Sequence, residues 1–391
     1  MQSFRSFAMQ SSGRGTDRVN TRLFSHHSLL PVRTKKRRVL RIEPLEERIV
    51  LSNYWVSPSG NDNNAGTSSA PWLTLQHAAN TVTPGATVDI LAGSYTGFQI
   101  ITSGTSASPI TWAFQSGATI TTPINSGGEY FGILAAAVNY NTITGVTITP
   151  GTPTEWWEAG IKTTGTPPGD AGGSGYSIGW VIENCTLNMR MPIVNVQSGD
   201  GLGINCNFVQ GTNANNLGVL IQNNYVSGCF DSGIYVANSS SYYSIIGNTV
   251  TDCGGQGIHN NGGSEGGSGI NTYGTIEDNI VHDCSYFGGG AVSPSTVPTS
   301  QAAGGQSLSF DGCQNMLIAN NLIYDAYYKG ISIYASDASG PSSYDVVVNN
   351  VTVKRFVFPL LRFSGSRGRS GAELFARHLR NGWYDSSSYN P

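Results

Sequence analysis

From residue 182 to residue 353, apolar and polar positions alternate in runs too short for an amphipathic helix, and the runs return in a fixed order. An apolar lead is followed three residues later by Asn: Ile221 by Asn224, Ile245 by Asn248, Ile276 by Asn279, Ile318 by Asn321, and Val347 by Asn350. Val226, Val250, Val281 and Ile323 come next, and then Cys229, Cys253, Cys284 and Ala326. Gly233-Ile234, Gly257-Ile258 and Gly330-Ile331 close their copies, with Gly288-Gly289 as a degenerate one. Ile182–Leu187 and Ile143–Ile148 are poorer, earlier copies. Period-two alternation over a few residues is the mark of a strand with one face buried. The leads lie 24, 31, 42 and 29 residues apart, so a constant module is joined by loops of variable length.

No copy closes a core alone. Stacked about 4.8 Å apart, each pairs its backbone with the copy above and below, and the inward Ile and Val become continuous columns. The fold class predicted is therefore all-β, a parallel β-helix, right-handed by the general crossover preference. The Asn residues form an amide ladder at a bend, where Asn tolerates a left-handed backbone. Upstream, Leu75, Ala78, Ala79 and Val82 follow helical spacing and Pro84-Gly85 stops them, which predicts a short N-terminal helix capping the core. Thr87–Tyr95 reads as the first strand.

Composition divides the chain. Residues 1–50 hold eleven Lys or Arg and four acids; residues 51–353 hold three cations and eighteen acids; residues 354–391 hold seven cations and two acids. Three parts are expected: a basic export segment over 1–52, the β-helix over 53–353, and a basic tail over 354–391. A central part near −15 is repelled by nucleic acid. No apolar run is long enough to span a membrane, so an integral membrane protein is not expected.

Two stretches carry a family likeness. Arg41-Ile42-Glu43-Pro44-Leu45-Glu46-Glu47-Arg48 resembles the export segment of planctomycete-type surface proteins, which implies an extracellular or cell-surface location. Tyr54–Asp62, Gly66-Thr67 and Ala70-Pro71-Trp72, together with the repeats, resemble the pectate-lyase-like superfamily of β-helix proteins, including family 9 polysaccharide lyases. That resemblance implies calcium on a uronate carboxylate, a Lys or Arg removing the C5 proton, and β-elimination of the glycosidic oxygen.

Lys329, before Gly330-Ile331, is the expected base; Lys162 and Arg190 are the other cations of the central part. Asp252, Asp283 and Asp325 recur at one repeat position, which reads either as turn-stabilising Asp or, with Asp231, as calcium ligands. Tyr324, Tyr328, Tyr334 and Trp157 are expected to stack on sugar rings, with His259 as a further substrate contact. The six cysteines read as buried thiols, three in one column, with no zinc spacing.

The function expected is an exported, monomeric β-helix that binds extracellular polysaccharide and, if catalytic, cleaves it with calcium. The alternatives are a non-catalytic adhesion module and a hydrolase of neutral glycans that uses Asp231 with Asp252, or Asp283 with Asp311.

Overall fold

The computed structural model describes residues 52–151, 157–165, 175–189, 201–263, 269–284, 306–326, 329–335 and 340–354. The export segment before Ser52, the tail beyond Lys354, Gly288-Gly289, Arg190 and Tyr328 lie outside these residues.

Each coil contributes a strand to three parallel sheets in turn, and every ladder joins a strand to its counterpart one coil on. The chain is a parallel β-helix. The first sheet runs through ten strands from Asn53–Val56 to Val346–Val348. The second runs through nine, from Gly93–Thr96 to Val351–Lys354. The third starts at Phe98–Ile100 and ends at Lys329–Tyr334, with Ile124–Ser126 added antiparallel.

The leads fall into one inward column. Ile143, Ile182, Ile221, Ile245, Ile276, Ile318 and Val347 pair in unbroken register. Ile148, Leu187, Val226, Val250, Val281 and Ile323 do the same in the second sheet. Ile161, Ile204, Ile234, Ile258 and Leu308 do so in the third, so the core is three apolar columns wide.

The Gly-Ile pairs have a packing cause. A Cβ on Gly233 would lie 2.3 Å from Val250 Cγ1, and one on Gly257 2.3 Å from Val281 Cγ1. The chain enters the third sheet pressed against the second, and a side chain there would overpack the seam. In the next coil the third-sheet strand is Gln306–Asp311, with Leu308 in the column; this replaces the predicted copy at Gly288-Gly289.

The ladder is built as expected, but its backbone is not. Asn248 Oδ1 accepts from Asn224 N (3.0 Å) and Nδ2 (2.9 Å), Asn279 Oδ1 from Asn248, Asn321 Oδ1 from Asn279, and Asn350 Oδ1 from Asn321. The left-handed conformation belongs to the preceding residue: Asn184, Asn223, Gly247, Asp278, Asn320 and Asn349. That residue makes the turn, which frees the ladder Asn to direct its amide into the core.

The predicted cap is the helix Leu75–Thr81, with Leu75, Ala78 and Ala79 buried and Thr74 Oγ1 accepting from His77 N. Gln76 seals the third sheet's first strand: its Nε2 donates to Gln99 O (3.2 Å) and its Oε1 accepts from Gln99 N (2.9 Å). The predicted first strand over 87–95 is two strands, Thr87–Ile90 and Gly93–Thr96, which turn from the first sheet to the second.

Candidate functional site

Outward positions of the third sheet form two rows whose chemistry changes from coil to coil. In one, register aligns Lys162, Asn205, Tyr235, His259, Ser309 and Ser332. In the other it aligns Thr164, Asn207, Ala237, Asn261, Asp311 and Tyr334. Though outward, Asn205, Tyr235, His259, Ser309 and Asp311 are buried.

Buried amides and imidazoles ordinarily have partners, and the Asn ladder obeys that rule at every rung. This face does not. Both amide atoms of Asn205 and both ring nitrogens of His259 are buried without a hydrogen-bond partner. His259 packs its ring 4.9 Å from that of Tyr235. Burial pushes its pKa down to about 4, with Asp311 opposing, so the imidazole is neutral at pH 7. One ring nitrogen is then a donor and the other an acceptor. Ser309 and Tyr334 share a hydroxyl–hydroxyl bond of 3.1 Å on the same face. At its upstream end, Lys162 Nζ lies 3.7 Å from Glu158 Oε1 and 5.6 Å from the Phe131 ring centroid.

Of the residues expected at the site, His259 and Tyr334 come together here. Trp157 does not: it is 1 % exposed and belongs to the core, so it has no free face for a sugar. Tyr324 lies on the second sheet, its ring stacked on that of His282 at 4.6 Å and 5°. Burial first, then the charges of Asp283 and Asp325, raise its hydroxyl above the ordinary value. Lys329 is exposed at the start of the last third-sheet strand, five residues or about 17 Å of strand from Tyr334. Tyr334 therefore does not stand beside it.

Asp252, Asp283 and Asp325 end their second-sheet segments with positive φ, at 53°, 50° and 50°. The recurring Asp is a turn residue, and Gly228 does the same job one coil earlier with φ 70°. Asp283 Oδ2 contacts His282 Nδ1 at 2.8 Å, and Asp231 Oδ2 accepts from Ser232 Oγ at 3.3 Å. Among the described residues no three His, Cys, Asp or Glu side chains gather to hold a metal, so this column does not fit calcium by itself. Asp311 ends the third-sheet strand Gln306–Asp311, whereas Asp283 directly follows the second-sheet strand Ile280–His282.

The six cysteines are free and buried. Burial raises the thiol pKa of Cys185 and Cys206 to about 12 and those of Cys253, Cys284 and Cys313 well above the ordinary value, so these five are not nucleophiles at neutral pH.

No family model matches the chain. The pectate lyase PEL9 of Emericella nidulans is 38 % identical over 64 residues, which span 16 % of this chain and 16 % of that protein. Among solved structures, pectate lyase Pel9A is similar with a TM-score of 0.47 and 14 % identity, over 77 % of this chain and 78 % of that one. XylC in complex with xylose has a TM-score of 0.47 and 12 % identity, over 78 % and 70 %. A rhamnogalacturonan lyase has a TM-score of 0.44 and 13 % identity, over 82 % and 90 %.

Proposed function

We propose that this chain is an exported, carbohydrate-binding β-helix that holds polysaccharide on the outer face of its third sheet. The observation carrying the reading is the unpartnered pair Asn205 and His259, in a fold that bonds its ladder amides rung by rung. Such groups are costly to bury alone, about 1–3 kcal/mol each. A polyhydroxylated ligand offers both donors and acceptors to an amide and a neutral imidazole, with Tyr235 as the apolar wall between them. The short likeness to a pectate lyase and the export-type segment around Arg41–Arg48 point the same way.

The test uses the full chain, with binding to neutral and uronate oligosaccharides followed by calorimetry. Asn205→Leu should abolish binding at this face while making the free protein as stable or more so, because it removes an unpaired polar group at similar volume. Unchanged affinity in that variant sinks the reading.

Cleavage is the second reading, favoured by Lys162, which stands beside Asn205 in the same row with Glu158 as its partner. Lys162 is placed to receive a substrate carboxylate or to take a proton from the ring carbon next to it. If it does, a uronate polymer yields unsaturated product, and Lys162→Met stops its release while Lys329→Met does not.

A further inference from the structure

A different corner of the spiral carries a column with no part in the third-sheet face. Two residues before each matched position of the first sheet stand Tyr242, Tyr273, Asn315 and Tyr344, the matched positions being Ser244, Thr275, Leu317 and Val346. All four have left-handed backbone, with φ of 49°, 55°, 57° and 59°. Asn accepts that conformation readily; for a bulky aromatic it is an outlier with a cost of order 1–3 kcal/mol. Burial does not offset that cost for Tyr273 and Tyr344, which are 47 % and 82 % exposed.

Two of the rings pack against each other all the same. Tyr242 and Tyr273 stack in parallel, 4.7 Å apart and 7° from coplanar. They border a groove of about 240 Å³ lined by Leu217, Tyr243, Asn315 and Leu317 as well, and no charged side chain lines it. In a domain near −15, an uncharged groove is a place where a neutral chain meets no field to oppose it.

Spacing narrows the ligand further. Tyr242 and Tyr273 sit one coil apart and fill their gap with each other. Tyr273 and Tyr344 sit two coils apart, about 9.5 Å by coil spacing, with the exposed Asn315 between them; Tyr344 lies one coil beyond the groove's lining, which ends at Asn315 and Leu317. A saturated six-membered ring touching an aromatic face on either side at about 3.5–4.0 Å needs about 7–8 Å plus its pucker. Asn315 then lies at the ring's edge, where hydroxyls need a donor and an acceptor.

We infer that this corner is a second glycan site, a platform on which Tyr273 and Tyr344 clasp a pyranose of an uncharged polysaccharide over Asn315. It is independent of the third-sheet site and holds whether or not that site binds.

Affinity electrophoresis of the full chain through gels containing neutral glucan, xylan or mannan, with polygalacturonate as the charged control, tests this. At least one neutral polymer should retard the protein. Tyr344→Asn, a change at an open position to a residue that accepts the same φ, should weaken the retardation at least tenfold. Tyr273→Asn should do likewise, and both variants are also read in the Asn205→Leu background, where the third-sheet face no longer contributes and the loss should be the same. Retardation by polygalacturonate alone, retardation indifferent to Tyr344→Asn, or none by any neutral polymer overturns the inference. Loss of retardation in Asn205→Leu with Tyr344→Asn silent assigns the binding to the third sheet and overturns it too.

Discussion

Replacing Asn279 with Ala breaks the amide column at a buried rung. Its Oδ1 accepts from Asn248 N and Asn248 Nδ2, both at 3.0 Å, and its Nδ2 donates to Ile245 O at 2.8 Å and Asn321 Oδ1 at 2.9 Å. The losses are unequal. Asn248 Nδ2 keeps Ile221 O and Ile246 O, and Asn321 Oδ1 keeps Asn279 N. The Asn248 N–H, by contrast, is left buried with no acceptor. One orphaned amide at about 1–3 kcal/mol, with about 1 kcal/mol for the weakened bonds, gives a loss of roughly 3 kcal/mol. Asn350→Ala at the last rung is the control: its neighbourhood is partly open, so water replaces the lost acceptor and the loss is at most about 1 kcal/mol. Urea unfolding of both variants reads the difference as a shift in midpoint at constant slope. Equal losses, or less than about 1 kcal/mol for Asn279→Ala, would refute the claim that the ladder stabilises the fold through satisfied amides.

Further expectations follow from the same structure. Because the His259 pKa is lowered to about 4 in the fold, the unfolded chain binds its proton first; stability is full above about pH 6.5 and falls as pH drops toward 4. The loss is at most about 3 kcal/mol, and His259→Leu should flatten that part of the pH–stability curve. Gly233→Ala forces a Cβ against Val250 and should destabilise by about 1–3 kcal/mol, seen in the same urea assay. The six thiols should stay silent to a thiol reagent in the native protein and react once it is unfolded.

The sequence showed the core columns because inward positions repeat one chemistry: Ile221, Ile245, Ile276 and Ile318 occupy one role and look alike. The outer face of the third sheet escaped it for the opposite reason. Lys162, Asn205, Tyr235, His259 and Ser309 share a row but no side-chain chemistry, so alignment on residue type passes over them. The Asp252, Asp283 and Asp325 column was visible, yet repetition alone did not separate a ligand from a turn residue; the positive φ identifies these Asp as turn formers. Lys329 was singled out as one of three central cations, placed just before Gly330-Ile331, and its strand carries Tyr334 away from it. Trp157, between Trp156 and Glu158 in sequence, gave no sign that the core needed it.

The amide ladder also bears on how such a chain changes size over evolutionary time. Every rung accepts from the rung before it and donates onward in the same sense. A duplication or deletion cut from one Asn to the next therefore restores the joint it interrupts. Molecules of this design can lengthen or shorten by whole turns, while loops at the corners diversify independently.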